Sequence, residues 1–430
     1  RAQQYAVWHI GPLTDELIMG RLLHYILCDS VSLAPVRPLS RIFQNGGAWL
    51  LEDSDSERAL AGALWNIQVN WESHTHKDVN AIHIAAYGEH VLRNSGYDGW
   101  AEGEWSWIHN TSESSNTVMI NDQDHQMKQG GGITEGLVGC DVEYASGSSG
   151  YALQNGRHQR NFIFVKPQDG KNGYFILIDE VAAILSTSDK ANVALHPNSA
   201  SSPTVITGNE EYEWDIEGCN YSGHPVGVTI FLGTSPESVD IKTGYKGSYD
   251  DCSRFKGKYL YSTYDTDIDG KASIVSVIFP HDSSHAVAEM NRIELPDASG
   301  AVINHGDSIV DYALGSQSET VVTFDGVSLD GLAAVYRKKG EVNQFYFVRK
   351  GSNFDDGSPS RIGFDSDADI SLFIKDKHGK IISPGTEVTF YYPGITGVKQ
   401  NDSLASILDS GPGWVKINVD SGTHDLQLIR

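Results

Sequence analysis

No stretch of about eighteen consecutive apolar residues occurs in this chain, which excludes a helix that crosses a bilayer. Positive charge is scarce: 32 Lys and Arg stand against 56 Asp and Glu, a formal net charge of −24. A surface so poor in cations cannot neutralise a run of phosphates, which excludes a general nucleic-acid or anionic-membrane binder. Four cysteines, at 28, 140, 219 and 252, are too few for a disulfide scaffold and show no CxxC spacing for zinc or redox chemistry. Cys219 and Cys252 flank strand-like runs, where a disulfide and buried free thiols are equally open. Helical periodicity is missing after residue 30 or so. It is confined to 1–34, where Leu13, Leu17, Ile18, Leu22, Leu23 and Ile26 recur at three-to-four spacing behind Thr14 as N-cap.

What remains is a chain of 430 residues with 44 Gly, 19 Tyr and 10% aromatic residues, in which short β-branched and aromatic runs alternate with Gly, Asn, Asp and Ser. This composition predicts a mainly β protein of stacked antiparallel sheets. Strands are expected at 48–52, 64–71, 81–87, 104–108, 117–121, 141–145, 159–166, 174–181 and 192–196. Further runs follow at 228–232, 258–262, 272–280 and 286–294, and a fresh set begins at 321. The domain reading is therefore 1–35 helical, 36–316 a central antiparallel β-sandwich, and 317–430 a smaller C-terminal β-domain. The segment 122–139, with Gly130-Gly131-Gly132, is expected to be a mobile rim. Asp265-Thr266-Asp267-Ile268-Asp269-Gly270 matches the first half of a calcium loop, but Ser276 stands where the motif needs a bidentate Glu. A hairpin turn is expected there instead.

The densest chemistry lies between 72 and 117. His74, His76 and Asp78 alternate, so on an extended strand two imidazoles and a carboxylate share one face. An apolar run ending in AYGE follows, then Asn94-Ser95-Gly96-Tyr97, then Ser115-Asn116-Thr117 leading another strand. In that order and spacing the segment resembles the central β-domain of the heparinase II/III-like polysaccharide lyases, with the resemblance best over about 35–190. It implies that 1–35 ends an α/α toroid, so that a missing N-terminal domain or second chain would complete the site. It also implies a lyase that cleaves a uronic-acid polysaccharide of alginate, ulvan or glycosaminoglycan type by β-elimination, in a secreted or periplasmic protein.

Under that resemblance His74 is a catalytic residue beside the uronate, and Tyr97 a second acid or base. Arg160 is a candidate for the substrate carboxylate, with an ion pair to Asp179 as its structural alternative. Trp105 fits sugar stacking or core packing equally, as does His83, and Asp78 is a substrate-side or histidine-orienting carboxylate. His76 occupies the first ligand position of the family's zinc site, but Asn94 and Ser115 occupy the other expected positions. No cofactor is the first expectation, and zinc at a degenerate site the second. The competing function is a non-catalytic carbohydrate-binding or structural β-sandwich.

Overall fold

Alternating side chains on the strand Tyr174–Ala183 explain the architecture. Phe175 and Leu177 pack into one apolar core, while Tyr174, Ile176 and Ile178 pack into another. Its neighbour Gly156–Val165 does the same, with Phe162 and Phe164 on one side and Ile163 and Val165 on the other. A strand with apolar residues on both faces is stable only between two layers, and the sheet these strands belong to is the middle one. The computed structural model describes residues 40–52, 56, 58–68, 75–96, 105–184, 189–206, 208, 210–216, 224–246, 255–317 and 321–430. The helices expected in 1–35 and the cysteines at 28, 219 and 252 lie outside the described residues.

The middle sheet has eight antiparallel strands in the order Thr204–Ile206, Glu211–Asp215, Val226–Leu232, Lys271–Asp282, Tyr174–Ala183, Gly156–Val165, Val142–Ser148, Gly132–Leu137. Phe175 stands opposite Phe164 on one side and Ile278 on the other. One face is covered by two smaller sheets. The first is a meander of Arg41–Phe43, Gly47–Leu51, Ala61–Trp65, Ala81–Ala86 and Glu89–Leu92. The second runs Ser238–Lys246, Phe255–Asp265, Lys190–Leu195, Val118–Ile120. Gly62 lets the meander lie against the stacked rings of Phe162 and Phe175, because a Cβ there would come within 2.5 Å of Phe162.

The other face meets a twelve-stranded antiparallel sheet that begins at Glu289–Leu295 and includes Trp414–Ile429. Ala333, Val335, Phe345 and Phe347 pack toward the middle sheet, and the alternate residues Ala334, Tyr336, Tyr346 and Val348 form a separate core. That second core is lined by this sheet's own strands, so the sheet coils around it. Bulges at Asp330/Gly331 and near Gly351 allow the bend.

Several expectations are corrected. The boundary after residue 316 falls inside the twelve-stranded sheet, since Ile309–Ser316 pairs directly with Val327–Lys339. The segment 122–139 is not a loop throughout: Gly132–Leu137 is an edge strand, and Gly130 packs so closely on Asn66 that a Cβ would sit 2.0 Å from its Oδ1. The segment expected as a strand at 104–108 contains a short helix, Trp105–Asn110. Asp267 does organise a turn, its Oδ1 accepting from the backbone N–H groups of Asp269 and Lys271 at 2.8 Å. That turn is not a hairpin, because it carries the chain from the four-stranded sheet into the middle sheet. Among the described residues no helix is long and apolar enough to cross a membrane.

Candidate functional site

Three short segments converge beside the edge of the meander: 75–80, which leads into Ala81–Ala86; 93–96, which follows Glu89–Leu92; and 105–117, the helix and the turns after it. The helix Trp105–Asn110 ends where side chains take its last carbonyls. Thr111 Oγ1 donates to Trp107 O at 2.6 Å, and Ser114 Oγ donates to Ile108 O at 2.9 Å. His76 Nδ1 lies 3.1 Å from that same Ile108 O. A carbonyl only accepts, so Nδ1 carries the proton and the lone pair of the neutral ring sits on Nε2. Burial lowers the His76 pKa against the raising effect of the Ile108 contact, which keeps the ring neutral at physiological pH. Its ring packs on the buried His109 at 4.5 Å between centroids.

Asp78 is buried, and burial pushes its carboxyl up to about 7, with Lys128 opposing. It is therefore a carboxyl that exchanges its proton near neutrality.

Asn94 and Asn116 clasp the other two segments. Asn94 Oδ1 accepts from the Asn116 backbone N–H at 2.8 Å and from its Nδ2 at 3.1 Å. Asn116 Nδ2 also donates to Ile82 O at 2.9 Å, and Asn116 Oδ1 accepts from the His196 backbone N–H at 2.5 Å. This geometry does not fit the zinc site that the resemblance implies. The Asn94 oxygen already holds two donors and the Ser115 position offers a neutral hydroxyl, so of the three positions only His76, through Nε2, presents a donor that zinc takes readily. Among the described residues no group of three or more His, Cys, Asp or Glu is placed to hold a metal. Among the described residues the buried Ser95 and Ser115 hydroxyls meet no hydrogen-bond partner.

Arg160 is not a surface ligand for a uronate. Its side chain is fully buried; Nε and Nη2 donate to Asp179 Oδ1 and Oδ2 at 2.7 and 2.9 Å, and Nη1 donates to Asn80 O at 2.8 Å and Asn116 O at 2.5 Å. Burial would raise the Asp179 carboxyl, but Arg160 and His158 hold it well below the usual carboxylate range. The ion pair is the alternative that the sequence left open, and the middle sheet sets it by placing residues 160 and 179 directly opposite.

Of the remaining sequence candidates, His74 and Tyr97 lie outside the described residues, and Trp105 is placed on the helix with nothing described of its side chain. His83 is half-buried on Ala81–Ala86.

A second cluster was not singled out from the sequence. Glu113 Oε1 accepts from Lys242 Nζ and from the Tyr259 hydroxyl, both at 2.7 Å. The His196 ring stacks on Tyr259 at 4.4 Å, and Trp107 closes over the group, 5.9 Å from Tyr245. Gly244 makes room for that indole, since a Cβ would come within 2.4 Å of it. The signal was present as Tyr259 and Tyr261, two apart on Phe255–Asp265, but the paired strands lie in separate parts of the chain.

With the geometry established, comparison with known proteins gives one family. Residues 65–239 match the Heparinase II/III-like, C-terminal family model. No curated protein gives a match. Among solved structures, the chain is similar to the heparan sulfate lyase HepC from Pedobacter heparinus, with a TM-score of 0.55 at 15% identity, covering 74% of this chain and 48% of that one. A mutant of the same lyase gives 0.55 at 14% identity with the same coverage. A heparinase III gene product gives 0.51 at 16%, covering 66% of this chain and 43% of that one. At such identities the likeness shows the fold, and the chain spans a little under half the length of these structures. Residues 65–239, with the HxHxD, NSGY and SNT segments in order, are therefore the part of the chain that is similar to the heparinase II/III-like C-terminal domain.

Proposed function

We propose that this chain is the β-sheet part of a secreted or periplasmic polysaccharide lyase that cleaves a glycosaminoglycan by β-elimination. The observation that carries the reading is the family match over 65–239, which spans all three converging segments. The fold shared with a heparan sulfate lyase and a heparinase III supports a glycosaminoglycan ahead of alginate or ulvan.

In the elimination the C5–H and C4–O4 bonds break, a C4=C5 double bond forms, and the departing O4 takes up a proton. His74 is assigned to the proton transfer beside the uronate, with Tyr97 as the second acid or base; a positioned group of this kind contributes roughly 10²–10⁴-fold. Asp78, titrating at about 7, and His76, neutral with its lone pair on Nε2, give the same segment two further proton-exchanging groups. Lys128 acts electrostatically on both and supplies local positive charge in an acidic protein. Repulsion from the remaining charge is screened beyond about 10 Å in physiological salt.

The second reading, a carbohydrate-binding module with a decayed site, is favoured by the Asn94–Asn116 clasp in place of metal ligands. Incubation of the full-length protein with heparan sulfate, chondroitin sulfate, alginate and ulvan, followed by ultraviolet absorbance of the unsaturated product, separates the two. The lyase reading expects product from a glycosaminoglycan and its loss in His74→Ala with the fold retained. Binding without product on every polymer would leave the module.

A further inference from the structure

We infer that Arg160 is a positioning residue for this site: from the middle sheet it ties down the segment carrying His76 and Asp78 and the segment carrying Ser115 and Asn116, without touching substrate. The kinetic part of the inference rests on the lyase reading, and the structural part does not.

The geometry is that of a bridge. One edge of the guanidinium, Nε and Nη2, grips both oxygens of Asp179 on the neighbouring strand, while Nη1 reaches the backbone oxygens of Asn80 and Asn116 together. Those two carbonyls belong to different segments, and each sits immediately beside site residues. Asn80 is held from its side chain as well. Its Oδ1 accepts from Asn66 Nδ2 at 2.5 Å, and its Nδ2 lies 3.3 Å from His158 Nδ1. His158 Nε2 in turn meets Asp179 Oδ1 at 2.8 Å, so the chain of contacts closes on the same carboxylate. Asn80 needs this support because its φ is 61°, in the left-handed region that non-glycine residues seldom occupy. Arg160, Asp179, His158, Asn80 and Asn116 are all almost wholly buried, which denies a polymer access to the guanidinium. A planar fork with donors on two edges can make this bridge; an ammonium cannot span it.

The test uses the full-length protein and Arg160→Lys, which keeps the charge beside Asp179 but cannot reach both carbonyls. On the cleaved polymer, kcat is expected to fall about 10²-fold with KM within about twofold, the size of effect that small misplacement of reacting groups produces. Deuterium uptake at 75–80 and 112–117 is expected to quicken about tenfold, with the strands Gly156–Val165 and Tyr174–Ala183 unchanged. If Arg160→Lys does not fold, Asn80→Gly carries the test. It keeps the carbonyl and the positive φ but drops the contacts to Asn66 and His158, and the same pattern is expected at about tenfold in kcat. A rise in KM at constant kcat would instead make Arg160 a substrate contact, and uptake unchanged at both segments would remove the bridge. Should the wild type turn over no polymer, the lyase reading fails alone, and hydrogen exchange still decides the positioning claim.

Discussion

Asp78→Asn is a nearly isosteric change that should make the protein more stable than wild type by an amount that grows as pH rises from about 4 through 7. Burial raises the Asp78 carboxyl from 3.8 to about 7, so the folded state holds a proton that the unfolded chain has released. Stability contributed by such a group is complete below about pH 4 and is lost as pH rises through 7. The displacement corresponds to about 4 kcal/mol at pH 8, and to between about 1 and 2 kcal/mol at pH 5. Both are upper bounds, since side chains and water relax around a buried charge. Asparagine does not ionise, so the variant should gain stability over wild type that grows by about 2–3 kcal/mol between pH 5 and pH 8. Urea unfolding at the two pH values measures this directly. An equal gain at both, or a loss at pH 8, would mean that the carboxylate is satisfied in the fold and that Asp78 does not exchange protons near neutrality.

Other outcomes follow from single contacts. Asp311 accepts from Arg337 Nε and Nη2 at 2.6 and 2.7 Å and from the Tyr174 hydroxyl at 2.6 Å, all buried, so Asp311→Ala should destabilise by about 3–5 kcal/mol. Adding Arg337→Met should restore most of that in equilibrium unfolding; a double variant no better than the single one would contradict the pairing. Gly62→Ala forces a methyl against Phe162 and Phe175 and should lower stability by about 1–3 kcal/mol, which a thermal melt can refute by showing no change. Asn94→Asp combined with Ser115→His puts a carboxylate and an imidazole, donors that zinc favours, at the two positions the resemblance gives to ligands, and after dialysis against zinc the variant should hold about one metal ion per chain by atomic emission. A variant that stays metal-free would show that the clasp geometry, not donor chemistry alone, closes the site.

The legibility of this chain was uneven for reasons that can be traced. Runs such as Phe162–Val165 and Tyr174–Ile178 are apolar at every position, which announces a strand covered on both sides but not which sheet covers which face. Trp105-Ser106-Trp107 alternates like a strand yet lies in a helix, whose late carbonyls, Trp107 O and Ile108 O, are taken by Thr111 and Ser114 a few residues on. The glycines at 130–132 signal a loop in any local reading, whereas in the fold they mark where one backbone crowds against Asn66 and Ser148. Glu113, Lys242, Tyr259 and His196 meet only because Lys190–Leu195 and Ser238–Lys246 flank Phe255–Asp265 in one sheet.

By itself the sequence determined the β character, the family resemblance and the order of the HxHxD, NSGY and SNT segments, since composition, side-chain period and motif spacing are properties of the chain in one dimension. Tertiary structure alone decided which partners the described residues around those segments meet. Strand register put Arg160 opposite Asp179 and buried it, turning a candidate substrate ligand into an internal bridge. Burial gave Asp78 a proton that its sequence neighbours could not predict. Both results depend on which atoms lie within a few ångströms, and only the folded chain fixes that.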